Sequence, residues 1–587
     1  MAYQDTIIAH PNLVAYWKLD ETSGTTFVDS KNGYNGTISG GVTLNQTSLL
    51  ASAAGKSAAF TTNGRAIITG SESHFDFERT DSWTIEAIVR PNITRSGGAS
   101  FRNVFSKVDS SSPFRGYEMQ IGWNGSNQTV VRVYVINDFS TKYRLWTSNS
   151  FDLKNATDYH IVAAYDGTTG VPVIYVNSQR VLLTTTSLGT MDATILNNIT
   201  PTIGSRQATQ YFEGRIDEIA VYNTNLPAAT VQEHFLLAKD YTPLADPVSP
   251  PVIILDTDMA SDVDDVADLA VLHRLADANE CTIGAVITSA NLTYSAPCVY
   301  AINDYYGRST IPIGAYQGSS LTGAASSVYA QDIRDDFGIP GDVRTNYDDA
   351  TTVYRQALHD AADGSVIIVL VGLFQCIADL LDSAADGIDS RNGVDLVAAK
   401  VNRIVMVAGV MPSSVYRAEG EYNIRNGPRA AAVSFLADCP ASVPIQVIGI
   451  EMGDAIFTQP PTDSDPLTFP VKAAFDLWDA LGDPPDIPRQ AWGQLGVLYA
   501  VRGFDGVFGA GGVGGSMTID VNSDNTWIET AGNVHYAVLV DSEANITTML
   551  NGLLLAASTS GLLLANAAAQ PSALAAAFAS SSSPPIL

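Results

Sequence analysis

Short runs in which apolar and polar residues alternate dominate the first part of the chain. Examples are Ser82–Pro91, Val130–Asn137, His160–Asp166 and Val171–Asn177, separated by clusters of Gly, Asn, Asp and Ser. A period of two is typical of strands that bury one face, and short strands with polar turns at regular spacing predict a sandwich or barrel. We therefore expect an all-β domain over residues 1–240.

Beyond residue 251 the pattern changes to apolar strands that alternate with helices. Val252–Leu255 is a β-branched run typical of a strand buried on both faces, and from Val266 to Leu275 apolar residues recur at helical spacing. Val366–Val371 is a second buried strand, and Arg403–Ala408 is a third. Such alternation predicts an α/β domain with a doubly wound, mainly parallel sheet over residues 252–555.

Two segments fit neither pattern. Residues 241–251 (YTPLADPVSPP) are rich in proline and predict a semi-stiff linker between the two domains. Residues 556–587 are rich in alanine and serine and are expected to form a C-terminal tail. The predicted order is therefore β-sandwich, linker, α/β domain and tail.

Length and charge narrow the possible partners. A chain of 587 residues is too long for a single hydrophobic core, and a net charge of −29 disfavours nucleic acid and anionic membranes, which repel acidic surfaces. No apolar run is long enough to span a bilayer, and the N-terminus MAYQDTIIAHPN lacks the basic and apolar regions of a secretory signal. The sequence predicts synthesis in the cytoplasm without membrane insertion.

Acidic residues are concentrated directly after the first strand of the α/β domain. A strand, an acidic loop and a helix N-terminus place carboxylates at the C-terminal end of a parallel strand, where open α/β sheets bind ligands. Clustered carboxylates repel one another unless a cation or protons hold them, and hard oxygen ligands suit calcium or magnesium. The alternative is a solvated acidic loop that caps the helix. The five aspartates are Asp256, Asp258, Asp262, Asp264 and Asp265.

This acidic stretch resembles a known signature. Asp256-Thr257-Asp258 followed by Asp264-Asp265 is similar to the N-terminal motif of the calcium-dependent nucleoside hydrolases of the inosine–uridine-preferring type, and the resemblance covers about residues 251–555. It implies Ca²⁺ as cofactor and ribonucleosides as substrates. By this resemblance Asp258 is the general base and contacts the metal, Asp265 is a bidentate calcium ligand, and Val371 supplies a backbone carbonyl.

The same resemblance implies a set of ribose-binding residues. Asn291 follows the next apolar strand, and Glu421 and Asn423 lie in a predicted loop after a later strand. Carboxylates also suit the chemistry, because breaking an N-glycosidic bond passes through a sugar with oxocarbenium character. The residues expected to hold the sugar hydroxyls are Asp264, Asn291, Glu421 and Asn423.

One position departs from the hydrolase pattern. Residues 489–494 resemble the segment that carries the last calcium-ligating Asp, and Gly493 stands in its place. A glycine offers no side-chain oxygen, and the loss of an anionic ligand weakens a calcium site. The sequence therefore predicts a weakened site, with a water molecule or a nearby Asp as the alternative ligand, and a Gly493→Asp substitution is expected to tighten calcium binding.

Three motifs in the first domain resemble laminin-G-like, concanavalin-type jelly-roll modules. They are Leu13–Glu21, Trp83–Ala87 and Phe212–Asn223, which look like the opening, central and closing strands of such modules. The resemblance implies binding of glycans or proteins, and many such modules carry calcium. Asp20, Asp217 and Glu218 are candidate ligands, and the alternative is that they are ordinary turn and surface residues.

Two functions remain open at this level. The favoured one is a surface- or virion-associated structural or adhesive protein. It binds glycans or surface proteins through its β-sandwich, forms an oligomer or part of a particle, and keeps a nucleoside hydrolase-like domain of impaired or lost activity. A particle assembled in the cytoplasm and released outside the cell would explain a glycan-binding module without an export signal. The alternative is an active calcium-dependent nucleoside N-ribohydrolase that releases a free base.

Overall fold

The computed structural model describes residues 3–52, 55–70, 72–95, 99–109, 111–125, 128–148, 152–241, 250–259, 262–318, 329–412, 421–459, 469–479, 488–504, 506–529 and 532–555. Contacts between residues divide the chain into two units. The first consists of Met1–Ala245, Phe504–Ser516 and Trp527–Ser542, and the second of Asp246–Gly503, Met517–Thr526 and Glu543–Leu587. Most of the predicted linker and the whole predicted tail lie outside the described residues.

Short antiparallel strands build the first unit. Its helices are α1 (Tyr3–Ala9) and α2 (Ala228–Ala238), with a 3₁₀ turn at Glu72–Phe75. Its strands are β1 (Leu13–Trp17), β2 (Thr26–Phe27), β3 (Gly36–Ser39), β4 (Val42–Thr47), β5 (Lys56–Phe60), β6 (Arg65–Ile67), β7 (Trp83–Pro91), β8 (Ser100–Val108), β9 (Gly116–Trp123), β10 (Thr129–Asp138), β11 (Lys142–Ser148), β12 (Tyr159–Asp166), β13 (Val171–Val176), β14 (Gln179–Arg180), β15 (Leu183–Leu188), β16 (Thr202–Ile203) and β17 (Gly214–Tyr222).

These strands form two sheets that enclose one large core. One sheet has the order β14-β13-β12-β7-β17-β5-β4, with β1 paired to β17, and the other has the order β15-β11-β10-β9-β8-β16-β6-β3-β2. Period-two alternation explains the packing, as β9 shows: Tyr117, Met119 and Ile121 face the core, whereas Glu118 and Gln120 point to the other side. The predicted antiparallel sandwich is confirmed.

A late segment of the chain also belongs to the first unit. The Ser178 hydroxyl donates a hydrogen bond of 2.6 Å to the carbonyl oxygen of Ala510, and Ala510 packs against Phe235 and Leu236 of α2. Local sequence patterns do not reveal such a pairing, because it joins residues that are far apart along the chain.

Strands and helices alternate in the second unit. The strands are β18 (Val252–Thr257), β19 (Thr282–Thr288), β20 (Ile313–Ala315), β21 (Asp348–Asp349), β22 (Val366–Leu370), β23 (Val401–Val407), β24 (Ile445–Ile448), β25 (Phe457–Thr458) and β26 (Arg489–Gln490). The helices are α3 (Asp264–Asp277), α4 (Ser295–Tyr305), α5 (Ala330–Phe337), α6 (Ala350–Asp360), α7 (Gln375–Asp382), α8 (Gly393–Lys400), α9 (Tyr422–Asn426), α10 (Arg429–Asp438), α11 (Ile450–Gly453), α12 (Pro470–Asp479), α13 (Trp492–Arg502) and α14 (Glu543–Leu555), with a 3₁₀ turn at Arg344–Asn346. Late in the chain follow β27 (Phe508–Ile519), β28 (Asn525–Ile528) and β29 (Val534–Leu539), of which β27 and β29 pair antiparallel. Strand β29 and most of β27 belong to the first unit.

The parallel strands run in the order β21-β20-β19-β18-β22-β23-β24, which confirms the predicted doubly wound α/β fold. Strands β19, β20 and β21 lie on one side of β18, and strands β22, β23 and β24 lie on the other. The direction of strand order therefore reverses between β18 and β22, and a crevice opens at the C-terminal edge of such a point. In the described part of the chain, no helix is long and apolar enough to cross a membrane.

Candidate functional site

The acidic residues lie at the point where the strand order reverses. Asp256 pairs in register with Ile287 of β19 and Leu370 of β22, so the three strands end at the same level. The Ser289 amide donates to the Thr257 carbonyl (2.8 Å), and the Val371 amide donates to the Asp256 carbonyl (2.8 Å). The segments that follow β18, β19 and β22 therefore meet at one edge of the sheet.

Gly372 allows this close approach. A Cβ at position 372 would lie 2.4 Å from the Asp258 amide nitrogen and 2.4 Å from the Ser289 hydroxyl oxygen. Both distances are far inside van der Waals contact, so any side chain here would force the strand ends apart. The glycine after β22 is thus part of how the fold gathers Asp258 with the neighbouring segments.

Most of the acidic side chains at this edge are withdrawn from solvent. Asp256, Asp258 and Asp265 are buried, with exposures of 0%, 3% and 4%, and Asp264 is half-buried. Helix α3 begins at Asp264, so Asp264 and Asp265 occupy its first turn, where the helix dipole favours negative charge. The Thr257 hydroxyl donates a hydrogen bond to Asp265 Oδ1.

Burial and mutual repulsion make these carboxylates hard to ionise. Burial raises the pKa of the Asp256 carboxyl to about 7, although a hydrogen bond from Tyr354 opposes the shift. Burial, followed by the charge of Asp258, raises the pKa of Asp265 well above its usual range. Burial and the charge of Asp262 raise the pKa of Asp264, against the charge of Arg489. The site therefore holds excess negative charge when these groups are ionised.

Arg489 supplies one counter-charge to this edge. Its Nε lies 2.9 Å from Asp262 Oδ1, its Nη2 donates to Asp262 Oδ2, and its guanidinium lies 5.1 Å from the ring centre of Trp492. The bidentate pair fixes the far end of the acidic loop. No local sequence pattern indicates a role for Arg489, because its partner lies more than two hundred residues away along the chain.

Glu421 and Asn423 lie in a short helix and its cap, not in the loop that the sequence predicted. Glu421 is the N-cap of α9: its carboxylate accepts hydrogen bonds from the amides of Asn423 (2.8 Å) and Ile424 (3.0 Å). Burial raises the pKa of Glu421 to about 7 against these hydrogen bonds. A capping carboxylate accepts hydrogen bonds from the free amides of the first helical turn and so stabilises the start of the helix. The predicted loop therefore gives way to helix at Tyr422.

The Asn423 side chain links the predicted sugar-binding segment to the predicted metal-binding carbonyl. Its Nδ2 donates to the carbonyl oxygens of Val371 (2.9 Å) and Val407 (3.2 Å). A carbonyl oxygen has two lone pairs, so this bond leaves Val371 able to accept a second partner. Asn291 lies half-buried in the segment after β19, beside the apolar contact of Ala290 with Leu373.

The carboxylate of Asp268 lies next to Gly493, the position at which the hydrolase pattern would have an Asp. A Cβ at Gly493 would be 1.7 Å from Asp268 Oδ2 and 2.4 Å from its Cγ. Position 493 is therefore not an open space, because the Asp268 carboxylate fills it. A side chain added there would force Asp268 to move, so the effect of Gly493→Asp on calcium binding depends on where the Asp268 carboxylate goes. In the sequence, the feature that could have indicated this placement is that Asp268 lies among the apolar residues of α3.

These donors fit a hard cation. In the described part of the chain, no three His, Cys, Asp or Glu side chains converge closely enough to hold an ion by themselves. Calcium sites, however, also use backbone carbonyls and water, and Val371 and the buried carboxylates of Asp258 and Asp265 are oxygen ligands of the kind calcium prefers. Asp268 Oδ1 is buried and has no hydrogen-bond partner among the described residues.

The three acidic residues singled out in the first unit also come together. The Gln4 amide donates to Glu218 Oε1 (2.6 Å) and to Asp20 Oδ2 (3.2 Å), while Asp217 Oδ2 accepts from the Leu49 amide (2.8 Å). Asp217 and Glu218 are fully buried, which contradicts the alternative that they are ordinary surface residues. Burial raises the pKa of Glu218 to about 8.

An aromatic patch is present on the sheet face opposite the core of the first unit. Phe139 is 39% exposed and stacks on Tyr143, with ring centres 5.5 Å apart. Tyr134 lies 6.0 Å from Phe139, and Phe114 contacts the same ring edge-on at 6.1 Å. We call Phe114, Tyr134, Phe139 and Tyr143 the aromatic patch.

Comparison with known families agrees with this architecture. Residues 60–232 match the family model of the concanavalin A-like lectin/glucanases superfamily. The match covers the central and closing strands of the first unit, and this concanavalin A-like region includes the aromatic patch. No curated protein is significantly similar to this chain in sequence.

Several solved structures resemble parts of the chain. A plant nucleoside hydrolase, PpNRh1, is 17% identical over 52% of this chain and 99% of its own, with a TM-score of 0.40. An inosine-uridine preferring nucleoside hydrolase from Bacillus anthracis is 13% identical over 52% and 99%, with a TM-score of 0.38. Domain 4 of AbnA, an extracellular arabinanase from Geobacillus stearothermophilus in complex with arabinotriose, is 16% identical over 38% and 98%, with a TM-score of 0.26.

Proposed function

We propose that the second unit binds calcium and ribonucleosides and hydrolyses the N-glycosidic bond. The observation that carries this proposal is the burial of Asp258 and Asp265, with Asp264 beside them, at the point where the strand order reverses. Buried carboxylates repel one another, so a fold that gathers them gains stability when a cation binds. The motif Asp256–Asp258 with Asp264–Asp265 supplies the reaction class by resemblance.

Three groups would hold the ion. Asp258 and Asp265 supply carboxylate oxygens, and the Val371 carbonyl, which also accepts from Asn423, supplies a neutral oxygen. A bound calcium ion would supply the positive charge that orients the ribose diol and makes a nearby water molecule more acidic.

The protein side chains accept the proton, stabilise the charge on the sugar and hold its hydroxyls. Asp258 accepts the proton of the attacking water as its oxygen bonds to the anomeric carbon of the ribose. The bond between that carbon and the base nitrogen breaks, and its electron pair leaves with the base. Developing positive charge on the sugar is stabilised by the surrounding carboxylates. The sugar hydroxyls are held by Asp264, Asn291, Glu421 and Asn423.

Calcium titration by calorimetry tests the metal part of this proposal. We expect the wild-type chain to bind one calcium ion and Asp265→Ala to lose most of that binding, because one charged ligand is gone. Asp336→Ala is a matched control, since Asp336 is exposed on α5 of the same unit. Equal binding by wild type and Asp265→Ala would contradict the assignment.

A second candidate function rests on the aromatic patch. We propose that the first unit binds glycans there, because aromatic rings present flat apolar faces with polar edges, as sugar recognition requires. In this candidate the protein is a surface- or virion-associated adhesive protein, acting as an oligomer or part of a particle, and the second unit has little or no activity.

Glycan binding can be measured on an array and then by titration with the strongest ligand. Tyr143→Ala is expected to weaken binding about tenfold, equivalent to about 1.4 kcal/mol, because the stacked pair with Phe139 is lost. Leu182→Ala is the control, since Leu182 is 61% exposed and lies outside the patch. Unchanged affinity in Tyr143→Ala would place any glycan site elsewhere on the unit.

A further inference from the structure

We infer that Asp268 is a ligand of the cation site, so that helix α3 supplies the carboxylate that Gly493 of α13 does not. This inference rests on the proposed function, because it concerns the same ion. It concerns a residue that the sequence motif does not include. It also removes the reason to expect a weakened calcium site from Gly493. The number of carboxylates at the site stays the same, and one of them comes from α3 instead of α13.

The spacing within α3 places Asp268 on the right side of the helix. Asp268 follows Asp265 by three residues and Asp264 by four, and residues at these separations lie on one face, one turn apart. The first turn of α3 carries Asp264 and Asp265 to the end of β18. The second turn therefore presents Asp268 directly behind them, along the same face.

The geometry at Gly493 gives the second reason. Helix α13 packs along α3, and an added Cβ at position 493 would lie 1.7 Å from Asp268 Oδ2 and 2.8 Å from Oδ1. Both carboxylate oxygens of Asp268 therefore lie within reach of the place where a side chain at 493 would start. With Asp268 in its observed position, only glycine at 493 leaves room for these oxygens. The two positions are alternatives for one carboxylate.

The third reason is that Asp268 lacks a structural role that would explain its burial. It is 1% exposed, and its Oδ1 has no hydrogen-bond partner among the residues that the structure describes. Gln494, which follows Gly493, is also fully buried with neither side-chain polar atom bonded among those residues. A buried carboxylate oxygen without a donor raises the free energy of the folded state, and a bound cation would offset that cost.

Charge counting gives the same result. The side chains of Asp258, Asp265 and Asp268 do not converge closely enough to hold an ion by themselves in the described part of the chain. With the Val371 carbonyl, they would offer a bound ion three carboxylates, as many as the first two would with an Asp at position 493. Ligand charge count largely sets calcium affinity, so a site completed by Asp268 is not weakened in the way that Gly493 suggests. The reason for expecting lost activity from the sequence therefore does not hold for this arrangement.

The test is calcium titration of the whole 587-residue chain and of four variants. Asp268→Asn keeps the shape of the side chain and removes its charge, and we expect at least about tenfold weaker binding, since even residues that support metal ligands contribute about 10- to 100-fold. Gly493→Asp, which crowds Asp268, is expected to weaken binding too. The double variant Asp268→Gly with Gly493→Asp is expected to recover it, because the carboxylate then comes from α13. Asp265→Ala, which removes a ligand of the proposed site, shows whether calcium binds at that site at all.

Thermal unfolding in EDTA and in calcium provides a readout that is independent of activity. We expect Asp268→Asn to unfold at a higher temperature than wild type in EDTA and to gain less from calcium. If wild type binds calcium, Asp265→Ala loses binding and Asp268→Asn retains full affinity, the inference is overturned and the proposed function stands. If wild type and all variants fold but bind no calcium, both fall together.

Discussion

Replacement of Asp258 by Asn is expected to lower the rate of base release from inosine, uridine or adenosine about a thousandfold at millimolar calcium, within the range that a general base contributes. Asn keeps the size of the side chain but cannot take a proton from water. Asp258 is 3% exposed and lies beside Glu421, whose pKa burial raises first and the Asp258 charge raises further. Asp258 thus lies among carboxyl groups whose pKa is raised by burial.

The measurement is the appearance of free base under saturating nucleoside, with the exposed Asp336→Asn as the matched control. Calorimetry on the same protein separates the loss of a base from the loss of calcium. Full activity in Asp258→Asn would show that another group removes the proton. A folded, calcium-bound wild type without turnover would instead support the adhesive function.

Replacement of Glu86 by Gln is expected to destabilise the first unit by about 3–5 kcal/mol, as breaking a buried charge pair usually does. Glu86 is fully buried and lies 2.6 Å from His160 Nε2 and 3.1 Å from His234 Nδ1. It also accepts hydrogen bonds from the hydroxyls of Tyr222 (2.8 Å) and Tyr3 (3.1 Å). One carboxylate thus joins three strands to helices α1 and α2.

The charge state of Glu86 explains why even a conservative change is severe. Burial by itself raises the pKa of a carboxyl, but at Glu86 the charge of His234 and hydrogen bonds from both histidines outweigh burial and hold the pKa well below its usual range. An amide cannot compensate a charged histidine or accept all four bonds. His234, His160 and the tyrosines would be left partly unsatisfied in the interior.

Denaturant unfolding of the full chain, followed by the fluorescence of the buried tryptophans, measures this effect. Glu233→Gln is the control, because Glu233 is exposed on α2, next to His234. An unchanged midpoint for Glu86→Gln, with the control also unchanged, would show that the network contributes little to stability.

Local sequence patterns determined the fold class of both units. Period-two alternation in strands such as β9 and β10, and β-branched runs such as β18 and β22, act over a few residues and do not depend on distant partners. The acidic loop was visible for the same reason: Asp256, Asp258, Asp264 and Asp265 lie in one stretch. A strand followed by a helix brings such residues to a sheet edge.

Tertiary structure decided which residues lie at the site and which also cap a helix or bond to the backbone. Glu421 became a helix N-cap because free amides of α9 lie within its reach, and Asn423 turned to the Val371 carbonyl. Arg489 was revealed only by its pairing with Asp262. These contacts join segments far apart along the chain, so no local pattern contains them.

The meaning of Gly493 shows the difference most clearly. By itself the sequence determined that position 493 lacks a carboxylate, and from that alone a weakened calcium site followed. Only the packing of α13 on α3 showed that the Asp268 carboxylate lies there instead. A sequence motif records which residue stands at a position, whereas coordination depends on which atoms share a volume. In this protein a helix on the other side of that volume supplies the oxygen atoms.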